Sequence, residues 1–276
     1  MKKISLYIVP TPIGNLSDMT FRAIEILKSV DFIAAEDTRK SGILLKHFEI
    51  KKPMLSYFEH NKAERGQIII DRLLNGETCA LISDAGMPAI SDPGEMLVAQ
   101  CYENNLTVSA LPGPCAAVTA LAMSGISTKR FCFEGFLSTA ANSRKEHLSS
   151  LQKEKRTLIF YEAPHKLKGT LKDLSTYFGN RRISLVREIS KIYEEVLLTS
   201  ISDAIEYYKD REVYGEFVLL LEGSPEEDIK KDISEEELEK IFNEYISQGM
   251  TKSFAAKAVA TRFNLLRREV YDKFKD

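Results

Sequence analysis

The sequence predicts an α/β fold with three parts: a parallel, Rossmann-like sheet first, a mixed sheet second, and a small helix-turn-helix-like tail. Three features lead there. Short β-branched runs alternate with stretches of helical spacing through the first half, each run ends in a loop rich in Gly, Pro and small residues, and the second half carries longer apolar runs with fewer helices between them.

The elements follow in order. ISLYIVP (residues 4–10) reads as a strand broken by TPIGN, and TFRAIEILKSV (20–30) as a helix with Phe21, Ile24, Ile26, Leu27 and Val30 near helical spacing. DFIAAED repeats the strand pattern, GQIIIDRLLNG (66–76) is helical and stops on Gly76, and TCALISDAG returns to strand. PGEMLVAQCYENN (93–105) predicts a helix with Pro93 in its first turn, LTVSALPGP a strand, and CAAVTALAMSG a small-residue helix. RTLIFYEAPHKL, RRISLVREISKIYEEVLLTS and GEFVLLLEG supply the second sheet. Domains at 1–114, 115–223 and 224–276 are expected, the last opening on the charged linker SPEEDIKK. Gly249 stops one tail helix, SFAAKAVATRF forms another, and after the turn FNLL comes the basic helix RREVYDKF.

A chain of 276 residues with 44% hydrophobic and 28% charged residues can bury more than one core. It contains no apolar run near the roughly 18 residues that a membrane span needs, and its basic start lacks an export cleavage site, so a cytoplasmic protein is expected. Its four cysteines show no metal-binding or redox spacing and read as reduced and structural. The net charge of −2 hides an asymmetry: residues 223–248 carry three basic and nine acidic side chains, residues 249–276 seven basic and three acidic. Nucleic-acid binding would therefore need local patches and the basic tail.

Chemistry concentrates in the loops that leave the strands. SDAGMPAISDPG (83–94) follows the apolar run CALI, and VPTPIGN, AAEDTRK and LPGPCAA have the same placement. In open α/β sheets, ligands bind outside the carboxyl ends of the strands, so the four loops are expected to converge. Gly14, Gly86 and Gly113 let main chain approach a ligand, and the prolines stiffen the loops. With neither GxxxxGK[ST] nor GxGxxG, a nucleoside ligand without polyphosphate fits better, met by short polar groups such as Asn15, Asp84, Ser91 and Cys115.

In this order VPTPIGNLSDMTFRAIEIL, AAEDTRKSGILLKHF, ISDAGMPAISDPG, LPGPCAAVTAL, FEGFL, FYEAPHKL and VREISKIYEE resemble the ribosomal RNA small subunit methyltransferase I family of the tetrapyrrole-methylase superfamily, over residues 4–222. The resemblance implies a homodimer with S-adenosylmethionine (SAM) in the cleft between two α/β domains. It also implies 2'-O-methylation of a cytidine in the decoding region of 16S ribosomal RNA. Carried over by position, Pro12, Gly14, Gly86, Met87 and Pro88 would line one side of SAM, Cys115 and Ala116 its methionine part, and Glu162 and Ala163 the second-domain side. Met87 stands where Thr is common, Cys115 where Ser or Ala is common, and LSTAANSR lacks the usual Pro and Lys.

Transfer to a ribose hydroxyl needs in-line positioning and a general base. The candidates are Asp37, Glu36, Asp84, and Glu188 with Lys191; Asp37 is preferred to Glu188, and each can instead cap a helix or pair with a cation. His60 and Asn61 could meet a splayed base edge, and His165 could be a cap. Arg39, Lys40, Arg144, Lys145, Arg187, Lys191, Arg267 and Arg268 are the expected phosphate contacts, and no metal is expected. A relative acting on a small tetrapyrrole is the alternative reading; it would share the cleft but not need the EDTR segment or the tail. A nucleic-acid binder without catalysis would leave the converging loops without a purpose.

Overall fold

The structure is a computed structural model that describes residues 3–225, 234–263, 265 and 267–274. Its chain divides into two compact units, Met1–Gly223 and Ser224–Asp276.

In the first unit, β1 (Leu6–Ile8), β2 (Phe32–Ala35), β3 (Met54–Ser56), β4 (Cys79–Ile82) and β5 (Val108–Ala110) form a parallel sheet in the order β3-β2-β4-β1-β5. β2 and β4 are buried along their whole length, which follows from helices covering both faces. Alternation then divides their side chains. Phe32, Ala34 and Leu81 join Ile69 and Leu97 of α3 (Lys62–Leu74) and α4 (Glu95–Glu103) in one core. Ile33, Ala35 and Ile82 join Leu27 and Leu45 of α1 (Phe21–Ser29) and α2 (Thr38–His47) in the other.

The second sheet runs β6-β7-β10-β8-β9, built from β6 (Phe131–Phe136), β7 (Thr157–Glu162), β8 (Arg182–Arg187), β9 (Glu195–Ser200) and β10 (Phe217–Leu221). Only β6 and β7 pair in parallel, so the sheet is mixed as the sequence predicts. α5 (Ala116–Met123) packs Ala117, Ala120 and Leu121 on Ile159, Val186 and Val218. On the opposite face α6 (Ala141–Ser150), α7 (Leu167–Phe178) and α8 (Ile201–Tyr208) cover Phe160, Leu185 and Leu219.

The second unit holds α9 (Glu235–Ser247), α10 (Lys252–Phe263) and α11 (Arg267–Lys273), packed around Phe242, Ala256, Val259 and Val270. Ser234 caps α9 through the Glu237 amide, and Gly249 ends the turn after it with a φ of +86°. Of the charged linker, residues 226–233 lie outside the described residues, as do residues 264 and 266 of the FNLL turn.

Three local expectations need correction. The pattern did not yield α2, β3 or α6 as elements. α1 buries Ala23 and Leu27 but leaves Phe21 87% exposed, because Phe21 opens the helix on its outer side. α4 starts at Glu95 behind Gly94, so Pro93 precedes the helix rather than sitting in its first turn. Cys79 and Cys101 are buried free thiols, and burial pushes the Cys101 thiol up to about 11.

Candidate functional site

The loops after β1 and β4 meet at an isolated bridge, where Thr11 and Gly86 exchange both backbone hydrogen bonds at 2.9 and 3.0 Å. Gly86 sits at φ +81°, a conformation other residues adopt with strain, and two non-glycine residues further along the same loop, Ala89 (+67°) and Ser91 (+62°), share it. The turn carries Ser91 to the second sheet: a Cβ on Gly135 of β6 would lie 3.0 Å from the Ser91 hydroxyl. Gly135 follows the register shift after Phe133, so the bulge makes room for the incoming loop.

A second set of ties starts from VREISK. Glu188 and Ser190 are left-handed at φ +52° and +67°. Ser190 donates its hydroxyl proton to Asp18, and the Lys191 stem crosses Gly14 so closely that a Cβ there would fall 2.4 Å from Lys191 Cγ. Lys191 Nζ donates to Glu188 at 2.8 Å and to Glu216 at 2.9 Å. Burial alone would depress this ammonium, but the two carboxylates outweigh it and hold its pKa above the usual lysine range. Lys191 therefore keeps its proton. Glu188, for its part, has burial working to raise its pKa, yet Lys191 and the Glu216 amide hold it lower.

Between the two sheets these loops enclose a cleft of about 560 Å³, within the range of small-molecule sites. Of the residues expected around a cofactor, Asp84, Gly86, Met87, Ser91, Cys115, Ala116, Glu162 and Ala163 line it, whereas Pro12, Gly14 and Pro88 belong to the same loops without lining it. Ile13, Ile90 and Ile189 give it apolar walls. Cys115 precedes α5 without capping it, so apart from the Ala117 amide the start of that helix is turned to the cleft through Cys115 and Ala116. Tyr161 accepts the Ala117 amide at 3.1 Å, and burial pushes its phenol up to about 12. A nucleoside with an apolar stem and a carboxylate end fits this lining.

The acidic end is ordered. Asp84 accepts Lys40 Nζ at 2.6 Å and the Asp37 amide at 3.2 Å, and Glu36 accepts the Asp84 amide at 3.3 Å. Asp37 caps α2 through the Arg39 amide at 2.8 Å, and the Arg39 guanidinium takes both its oxygens. Those bonds hold the Asp37 carboxyl down at about 2 and turn it away from the cleft lining. Asp92, which the sequence reading passed over, lines the cleft with its carboxyl pushed up to about 6 by burial first and by the Glu36 charge second. Tyr161 and Glu216 are further polar cleft residues that the sequence did not single out.

Several expected RNA contacts are committed elsewhere. Arg144, only 17% exposed along its side chain, donates to Asp173 at 2.7 Å and Thr170 at 2.8 Å, which locks α6 to α7. Arg187 pairs with Glu195 at 2.9 Å and keeps its Nε buried. Asn61 accepts the Phe58 amide and donates to Ser56, shaping the turn before α3. These three side chains are engaged within the fold. Arg39 and Lys40 are exposed while holding carboxylates, Lys145 is exposed, and His60 is exposed beside the Phe58 ring. In the tail, Arg267 donates to Ser253, Arg268 pairs with Asp272 at 3.6 Å, and both arginines border a shallow hollow with Tyr271. Among the described residues no group of three or more His, Cys, Asp and Glu is arranged to hold a metal, and no helix is long and apolar enough to cross a membrane.

Residues 5–205 match the family described as tetrapyrrole (corrin/porphyrin) methylases. A Synechocystis protein named ribosomal RNA small subunit methyltransferase I is 46% identical over 96% of this chain and 95% of its own length. A Bacillus subtilis protein of that name is 46% identical over 98% and 93%. Among solved structures, diphthine synthase superposes with a TM-score of 0.60 at 11% identity over 80% of this chain and 90% of its own. A cobalt precorrin-4 methyltransferase does so at 0.59 and 15% over 79% and 94%. At those identities the structures establish the shared fold.

Proposed function

The chain belongs to the tetrapyrrole methylase family, and within it to the ribosomal RNA small subunit methyltransferase I family; from this we propose that it methylates the 2'-hydroxyl of a cytidine in the decoding region of 16S ribosomal RNA, with SAM as donor. The observation that carries the reading is near-full-length identity of 46% to relatives whose names give that RNA subunit as their substrate. The lined cleft between two sheets supports it. A homodimer acting in the cytoplasm on the small subunit or its RNA belongs to the same proposal.

SAM supplies a methyl group activated on a positively charged sulfur, which a hydroxyl oxygen can attack in line. The chain's part is to hold, orient and dry the reactants. Gly86 and Met87 present main chain to the donor, with Pro12, Gly14 and Pro88 fixing the same loops. Ser91, Asp84, Glu162 and Ala163 supply polar edges, while Cys115 and Ala116 open α5 toward the carboxylate end. Ile13, Ile90 and Ile189 exclude water along the stem. Arg39, Lys40, Lys145 and the tail's Arg267 and Arg268 are the side chains left for phosphates, and His60 for a base edge. Asp37 and Glu188 act in this reading as holders of Arg39 and Lys191 rather than as bases.

The experiment is transfer from labelled SAM to small ribosomal subunits and to naked RNA, with the product nucleoside identified by mass spectrometry. 2'-O-methylcytidine is the expected product. A methylated base, or transfer to neither RNA while SAM binds, overturns the proposal and moves it to a small-molecule acceptor.

A further inference from the structure

We propose that Asp92 is the general base that takes the proton from the acceptor hydroxyl. The inference rests on the methyltransferase reading above and names a catalytic group for it.

The position argues first. Asp92 lies on the one loop that starts at the end of β4 and touches β6, through Ser91 against Gly135, so its carboxylate stands where the two sheets face each other. Left-handed Ala89 and Ser91 precede it, and Gly94, at φ +153°, leaves no room for a Cβ between Leu81 and Ala89. A loop strained at two non-glycine positions is held by its surroundings, and the side chain it aims is held with it.

Elimination argues second. Of the carboxylates at this end, Asp84 is neutralised by Lys40 and Asp37 by Arg39. Glu36 already accepts the Asp84 amide. Across the cleft, Glu188 and Glu216 share the Lys191 ammonium, and Glu162 accepts the Ala163 amide and the Thr170 hydroxyl with its two oxygens. Asp92 has no ion pair among the described residues, and the groups that face it are the Ser83 hydroxyl, the Glu36 and Asp84 carboxylates and, from β7, the Tyr161 phenol. None of these is a cation; burial first and the Glu36 charge second raise the basicity of the carboxylate, and the Ser83 hydrogen bond offsets only part of that.

The chemistry balances. As the oxygen–carbon bond forms and the sulfur–carbon bond breaks, with sulfur keeping the electron pair, Asp92 accepts the hydroxyl proton and later returns it to water. One positive and one negative charge disappear together, a step that a partly dry cleft favours.

The test combines titration of the ligand-free protein with transfer kinetics. Carboxyl carbon NMR of the free protein is expected to show one aspartate titrating near 6, absent in Asp92→Asn. In kcat/KM for RNA against pH, an acid limb is expected near the same value. Asp92→Asn should lose the limb and about 10²–10⁴-fold of kcat while SAM affinity, by calorimetry, changes less than threefold, and Asp92→Glu should recover part of the rate. Glu36→Gln should move both the titration and the limb to lower pH. The proposal is overturned if Asp92→Asn keeps the limb or most of its rate, or if the limb disappears instead in Glu36→Gln or His165→Asn. Absence of transfer by the wild type would sink the methyltransferase reading itself, and this inference with it.

Discussion

Asp92 sets function against stability at the scale of one side chain. Its carboxyl rises from the unfolded value of 3.8 to about 6 in the fold. The folded state therefore binds the proton more tightly, and stability is full below the unfolded pKa and declines as pH rises through that window. Asp92→Asn removes this cost, so the variant is expected to be more stable than wild type at pH 8 by about 1–2 kcal/mol, allowing for solvent in the cleft. The difference should close near pH 4, and urea denaturation at the two pH values measures it. Arg144 illustrates the opposite outcome for a basic residue read from sequence. Its partners on α7, Asp173 and Thr170, are 29 and 26 residues away. Arg144→Ala should cost about 1–3 kcal/mol of stability and leave RNA affinity within twofold, and a loss of RNA binding at unchanged stability would return it to the interface.

At the scale of elements, the legible part of the fold was its period. Unbroken apolar runs in β2 and β4 reflect burial on both faces of the sheet, and helical spacing in α1 and α3 reflects burial on one face of each helix. α2 was lost because Gly42 interrupts a largely polar run, and β3 because three half-exposed edge residues carry little pattern. The four loops were legible as a site because Gly and Pro announce backbone geometry locally. The base was not, since the acidity of Asp92 depends first on burial between the sheets and then on Glu36, which another strand delivers. Gly86 marks the boundary between the two kinds of information: its φ of +81° is a local demand, while the Ile13 methyl 3.3 Å from an added Cβ is a tertiary one. Gly86→Val violates both and is expected to lower SAM affinity at least tenfold, with the circular dichroism spectrum retained; unchanged affinity in calorimetry would remove the loop from the donor site.

For the whole molecule, charge is distributed by segment. Residues 1–222 carry as many acidic as basic side chains, and the basic excess of the last 28 residues stands out only because the acidic stretch before it is counted separately. If Arg267 and Arg268 meet phosphates, replacing both by Ala in the full chain should flatten the salt dependence of RNA binding by about one to two contacts while SAM affinity stays the same. An unaltered slope would make the tail a structural unit.

The crossing of Lys191 over Gly14 also has a meaning for descent. The two positions lie 177 residues apart and come from different sheets, yet a lysine held this way fits only opposite a residue without a Cβ. A gene that exchanged one half with a distant relative would separate two positions that had been selected together. Chimeras joined between the sheets should therefore regain function only when residues 14 and 191 come from the same parent, and alignments of relatives should show the pair changing in concert.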